Sequence, residues 1–347
     1  MENSAAAIVV YAKFAAEWEA TTGVRPQVVE SLAQRFRDGI ASRLPAHLPQ
    51  PQLVSDASEI PEGAIVLFGC SLGVETASTF AASRPVLCSP APLWDWVTPK
   101  YPYMRALVTA GIAIPPTWHV HSTAEGVQAV DLLKFDVCAS GEAATTDHIV
   151  RHLVRAHPAA LKLVVKQCCA LGGALAVEVL DAAAAASRAV ELAVAGGDVL
   201  LQPDLSADFA VGETKCCVRV GRDATESSVV LGARHAPPGC EFGTLQTPDA
   251  LPPALKAVAG GAADVLRDFA LGAGVAPPPM VRVDCIEVSG DWTVNEFELC
   301  DYGCWMWGWA CDGREGEVDS AVCAAHAHFS VAASERRSSA EPMRAAP

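Results

Sequence analysis

Apolar and polar positions divide the first third of the chain into alternating strands and helices. Ala5–Tyr11 is apolar throughout and predicts a short buried strand. From Val28 to Ser42 the apolar positions Val28, Val29, Leu32, Phe36 and Ile40 follow helical spacing. Leu44–Gln52 is proline-rich and predicts a loop. Ala64–Phe68 (AIVLF), closed by Gly69, predicts a second buried strand, Val74–Ala82 a helix and Pro85–Cys88 an extended segment. Strand–helix–strand–helix order predicts an α/β domain over residues 1–100.

Beyond residue 100 the pattern becomes richer in hairpins. Tyr103–Ala110 predicts a short helix stopped by Gly111, and the prolines of Ile112–Trp118 exclude a helix there. Thr145–Ala156 predicts a helix. Leu161–Lys166 and Leu175–Leu180 read as two strands of a hairpin joined by a glycine-containing loop. Ala182–Ala195 predicts a helix that Gly196 and Gly197 stop, followed by a strand over Asp198–Gln202. Lys215–Val220 and Ser228–Ala233 predict paired strands, Ala254–Leu271 a helix, and Met280–Val288 with Trp292–Leu299 two strands about Ser289-Gly290-Asp291. Residues 101–330 thus form a second unit of α+β character, and the polar, Ala- and Pro-rich stretch 334–347 predicts a disordered tail.

Composition narrows the function classes. The 347 residues suffice for two or three structural units, and 51% hydrophobic against 19% charged residues excludes a disordered chain. A net charge of −15 leaves no broad basic field for nucleic acid. Lysine occurs only at Lys13, Lys100, Lys134, Lys162, Lys166, Lys215 and Lys256, so an anionic ligand needs a local site. No apolar run reaches the ~20 residues of a membrane span, and the opening MENSAAAIVVYAKF lacks the basic segment and apolar run of a signal peptide. The 13 cysteines include the adjacent pairs Cys168–Cys169 and Cys216–Cys217 but no CxxC. They read as reduced thiols packing like small apolar residues in a cytoplasmic protein, with a metal knuckle at Cys300, Cys304 and Cys311 as the lesser reading. His119 and His121 read as surface or packing residues; so do His326 and His328 beside Cys323, with a metal site as the lesser reading.

Two segments carry candidate chemistry. In Met280–Leu299 (MVRVDCIEVSGDWTVNEFEL), alternation puts Arg282 and Asp284 on one face of a strand, and Glu296 and Glu298 on one face of its partner. Where the two faces coincide, three carboxylates crowd beside an arginine, an arrangement costly without a cation and suited to Mg²⁺. The plainer reading is the solvated face of a hairpin. In Val164–Val179 (VVKQCCALGGALAVEV), Lys166 at a strand end precedes Gly172 and Gly173, whose backbone N–H groups can cover phosphates. This is neither GxxxxGK[ST] nor GxGxxG, and its plainer reading is a turn. Trp305, Trp307 and Trp309 share one face if extended. They read first as packing and second as an aromatic wall for a substrate.

Taken in order, a lysine strand, a glycine loop, a strand leading to QPDL and a distal RVD…NEFEL hairpin resemble the ATP-grasp superfamily over roughly residues 100–310, in its glutathione synthetase-like, carboxylate–amine ligase branch. The resemblance implies an α/β (α+β) fold in which an N-terminal α/β domain precedes a two-subdomain antiparallel-sheet nucleotide-binding unit, with a flap subdomain at about 115–205. It implies ATP binding by Lys100, Lys166, Gly172, Gly173, Gln202, Pro203, Asp204, Leu205 and Glu213. Asp284, Glu296 and Glu298 would hold Mg²⁺, or Mn²⁺, and Arg282 would stabilise the transferred phosphoryl group. Two departures stand out: Glu296-Phe-Glu298 replaces the frequent Glu-x-Asn, and Phe242-Gly243 replaces a common Phe-Arg, with Arg234 or His235 able to compensate.

The activity so implied is ATP- and Mg²⁺-dependent ligation of a small-molecule carboxylate to an amine through an acyl phosphate, without nucleic acid or membrane partners. A small-molecule kinase on the same fold and a catalytically inactive nucleotide-binding protein are the alternatives.

Overall fold

The computed structural model describes residues 6–12, 26–70, 80, 83–134, 136–140, 151, 162–167, 177–205, 208, 212–221, 227–234, 244–299 and 315–340. In chain order the elements begin with β1 (Ile8–Ala12), α1 (Pro26–Ala41), β2 (Gln52–Val54), β3 (Ile65–Cys70), β4 (Val86–Leu87), α2 (Ala91–Val97) and α3 (Tyr101–Thr109). There follow β5 (Trp118–Thr123), β6 (Gly126–Asp131), β7 (Asp136–Ser140), β8 (Lys162–Gln167), β9 (Val177–Asp181), α4 (Ala182–Val194) and β10 (Val199–Pro203). The chain continues through β11 (Thr214–Arg219), β12 (Ser228–Arg234), β13 (Thr244–Gln246), α5 (Pro253–Gly272), β14 (Met280–Val288), β15 (Asp291–Glu298) and α6 (Glu315–Ala340). Two compact units result, each built from separated stretches. One comprises Met1–Trp94, Thr214–Val283 and Phe297–Pro347, the other Asp95–Glu213 and Asp284–Glu296.

In the first unit the sheet β2-β1-β3-β4 is parallel throughout. Ile8–Tyr11 are buried without alternation, as strands covered on both faces require. Phe36 and Ile40 of α1 enter the same core as Val322, Cys323 and Phe329 of α6. The two helices approach closely because Gly39 has no side chain: a Cβ there would lie 2.5 Å from the Cys323 Sγ. Helix α6 also corrects the expected tail. Residues 334–340 are helical, Ser334 is buried, and the Arg337 guanidinium donates to the Gly63 carbonyl. The composition of 334–340 is that of a polar tail, but tertiary packing extends the helix past its low propensity.

The second unit holds the six-stranded antiparallel sheet β7-β6-β5-β10-β8-β9. Helix α4 covers it with small residues, Ala185, Ala186, Ala189 and Ala193, that let it settle on Trp118, Val120, Val165 and Val199. Asp181 caps this helix, its carboxylate accepting from the Ala184 N–H at 2.9 Å. The hairpin expected around the glycine loop is present as β8 and β9, paired from Lys162↔Asp181 to Lys166↔Val177. Strands β13-β12-β11-β14-β15 form a third sheet, whose β14–β15 hairpin carries Asp284–Glu296 into the second unit.

The helix expected at Val74–Ala82 lies outside the described residues except for Phe80, and that at Thr145–Ala156 except for Arg151. Also outside them are Gly172, Gly173, Cys168, Cys169, His235, Phe242, Gly243, the Cys300–Cys304–Cys311 group and the three tryptophans Trp305, Trp307 and Trp309. Among the described residues no helix is long and apolar enough to cross a membrane.

Candidate active site

The candidate site is built on the β14–β15 hairpin. Its turn is two residues, Ser289 at φ 55 and Gly290 at φ 91, the positive-φ pair whose twist matches that of paired strands. Thr293 Oγ1 donates to the Ile286 carbonyl at 3.1 Å across the pair. The hairpin gathers Asp284, Glu296 and Glu298: one oxygen from each lies within 4.8 Å of the others. Asp284 is buried and the two glutamates are half-buried. Arg282, 4% exposed, places its Nη2 2.5 Å from Glu298 Oε1. Lys100 places its Nζ 2.5 Å from Glu296 Oε1.

Lys166 faces the same field from the end of β8, where it pairs with Leu200 of β10. Burial pushes its ammonium pKa down, and the charge of Lys100 pushes it further; Glu296 and Glu213 oppose both. Glu213 accepts from Asn295 Nδ2 at 2.9 Å, so the hairpin is also tied to the residue expected after the hinge. Lys100, Lys166, Glu213 and Glu296 are therefore coupled within one unit.

The hinge residues divide by role. Gln202 is buried, and its amide donates to Thr117 Oγ1 at 2.8 Å, while Thr117 donates to the Pro115 carbonyl at 2.8 Å. Its side chain thus locks the segment Gly111–Thr117 (GIAIPPT) and is engaged inside the protein. Pro203 is buried at the end of β10; Asp204 and Leu205 are half-buried, and the Asp204 N–H donates to the Lys162 carbonyl at 3.0 Å.

Three supports were not anticipated from the sequence. Asn295 stands inside the hairpin motif and Thr117 inside the proline-containing segment Ile112–Trp118, yet neither carries a signal of its contact. The third is a ring stack. Tyr101, directly after Lys100, stacks on His119 at 4.0 Å and 7°, and His119 stacks on His121 at 4.5 Å and 11°. The two histidines lie within β5. His119 Nε2 meets Asp198 Oδ1 at 3.1 Å, yet burial and the neighbouring His121 push its pKa down to about 4. The imidazole is neutral at pH 7 and serves as a flat apolar platform that holds the start of α3, and with it Lys100.

The donor set fits a hard divalent cation. Three carboxylates offer oxygen only, as Mg²⁺ and Mn²⁺ prefer, and lysine and arginine limit the crowded negative charge. Cys88, Cys216, Cys217, Cys285 and Cys323 are buried thiols outside any disulfide; burial holds the Cys217 thiol well above its usual range and pushes Cys323 up to about 12. These are packing thiols.

No family model matches the sequence, and no curated protein matches it. Solved structures do. D-cycloserine synthetase DcsG is similar over 93% of this chain and 99% of that one, at 18% identity and a TM-score of 0.60. D-alanyl-alanine synthetase A from Vibrio cholerae O1 biovar eltor covers 93% of this chain and 98% of its own, at 8% identity and a TM-score of 0.56. D-alanine–D-alanine ligase from Bacillus anthracis covers 96% and 98%, at 14% identity and a TM-score of 0.52. A RimK domain ATP-grasp protein from Sphaerobacter thermophilus covers 92% and 98%, at 15% identity and a TM-score of 0.50.

Proposed function

This chain has the ATP-grasp fold, and we propose that it is an ATP- and Mg²⁺-dependent ligase joining a small-molecule carboxylate to an amine through an acyl phosphate. The observation that carries the reading is the hairpin constellation: Asp284, Glu296 and Glu298 within 4.8 Å of one another, with Arg282 and Lys100 against two of them.

Asp284, Glu296 and Glu298 would hold Mg²⁺, which supplies charge neutralisation to the β- and γ-phosphates of ATP. Lys100 and Lys166 bind phosphate oxygens; burial and the charge of Lys100 disfavour the Lys166 ammonium, and a bound polyanion would offset both. Gln202 to Leu205 would line the base end through their backbone. The substrate carboxylate attacks Pγ in line; an O–P bond forms, the bond from Pγ to the bridging oxygen breaks, and ADP leaves with the electron pair. Arg282, held rigid by burial and by Glu298, neutralises the equatorial oxygens of the moving phosphoryl group. The amine then attacks the acyl carbon, inorganic phosphate departs, and the nitrogen gives up a proton. Every protein group here binds, orients or neutralises, so no nucleophilic side chain is needed.

An amino acid as one substrate is supported by the names of two similar proteins, D-alanine–D-alanine ligase and D-alanyl-alanine synthetase. ADP release against pairs of amino acids and small carboxylic acids, with hydroxylamine present, tests the reading. The expected result is ADP together with a hydroxamate for one carboxylate. ADP with a phosphorylated alcohol and no hydroxamate would replace the ligase with a kinase.

A further inference from the structure

Arg84, Arg336 and Arg337, with Glu62, line a cavity of about 500 Å³ beside Gly63 and Val86. In a chain with 40 acidic residues against 25 basic ones, three of the four charged groups at this cavity are guanidinium. The cavity stands where β3 and β4 begin, at the N-terminal edge of the parallel sheet. Ligands of such sheets gather at the opposite, carboxyl edge, so this place is separate from the usual crevice.

The backbone is arranged for these arginines. Arg84 sits at φ 43, in the left-handed region that favours glycine, and directly before a proline, which penalises most compact conformations. Its N–H donates to the Phe80 carbonyl at 3.1 Å, a turn-ending position that glycine would fill without strain. A long charged side chain held there at a conformational cost points to a use for the side chain. Gly63, at φ 67, presses against the Arg337 guanidinium: a Cβ at that position would overlap it, and the Gly63 carbonyl accepts from it. The Gly63 N–H donates in turn to the carbonyl of Ser83, next to Arg84, at 2.6 Å. Ala333, Arg336 and Arg337 lie three and four residues apart, on one face of α6. Three cations lining one cavity repel one another, and a bound anion relieves that repulsion. Planar guanidinium forks match tetrahedral oxyanions.

We propose that this cavity is a binding site for phosphate, taken as the free ion or as a phosphomonoester, and distinct from the carboxylate hairpin. The proposal does not depend on the ligase reading.

Calorimetric titration of the full chain with inorganic phosphate, in Mg²⁺-free buffer at fixed ionic strength, tests it. One site is expected. Arg84→Gly, which removes the guanidinium and relaxes the backbone, is expected to weaken it at least tenfold, and Arg336→Gln likewise. Glu296→Gln is expected to leave it unchanged. A phosphomonoester binding more tightly than phosphate identifies a metabolite as the ligand; equal binding identifies the free ion. Absence of binding to the unmodified chain, equal affinity in the arginine variants, or loss in Glu296→Gln would each overturn the proposal.

Discussion

At the scale of single residues, the buried ionisable groups set how the protein responds to acid. His119 and His326 are both buried, and burial pushes each pKa down to about 4. His326 donates Nδ1–H to the Val322 carbonyl, and its ring meets Phe36 edge-on at 5.1 Å. The unfolded chain binds the proton near pH 6.5 while the folded chain refuses it until about pH 4. The stability these groups protect is therefore intact above pH 6.5 and lost as pH falls toward 4, by about 2 kcal/mol for each histidine at pH 5. Urea denaturation between pH 7 and pH 5 is expected to show this slope, and His326→Leu to flatten it whatever it does to absolute stability. An unchanged slope in the variant would contradict the assignment. The sequence left surface and packing roles open for His119, and burial decides for packing once the strand that holds it is placed; His326 is likewise buried in its helix.

At the scale of elements, legibility followed local chemistry. The β14–β15 hairpin was readable because alternation and the Ser289–Gly290 turn are written in adjacent residues, and the β8–β9 hairpin for the same reason. Helices α2 and α6 and the strands β6, β7 and β13 were not, because their patterns are weak and their burial comes from distant partners. Contact between α1 and α6 is one such case. Gly39 and Cys323 are joined only in the fold, and Gly39→Ala would drive a methyl group to 2.5 Å from the Cys323 sulfur. The expected cost is about 1–3 kcal/mol. Cys323→Ala in the same chain is expected to return a large part of it, a coupling that a thermal double-mutant cycle measures. Additive losses would mean that the helices shift apart instead. The ring stack from Tyr101 to His121 belongs at this scale too, since it fixes the first turn of α3 and so the lysine that precedes it.

Across the whole molecule, the chain interleaves two units, with residues 284–296 leaving one and entering the other. Arg282, Asp284, Lys100, Lys166 and the two glutamates were each legible as residues of an ordered motif, and alternation along the hairpin already predicted that the three carboxylates meet beside Arg282. The contact of Lys100 with Glu296 was not legible from the pattern alone, because Lys100 precedes a helix nearly two hundred positions earlier in the sequence. The plainer reading of the hairpin, a solvated face, fails on Asp284 and Arg282: both are almost fully buried, which a solvated face would not allow. The shortage of lysine also gains meaning, since two of the few lysines meet Glu296 in one field.

The most direct test of the account is the rate of Mg²⁺-dependent ADP release by Glu296→Gln beside the unmodified chain, with the circular dichroism spectra of the two superimposed. The substitution keeps the shape of the side chain and removes the charge that Lys100 and the metal would share. The account predicts a loss of at least a hundredfold, about 2.7 kcal/mol of transition-state stabilisation, in a protein that remains folded. Turnover at the unmodified rate would contradict it.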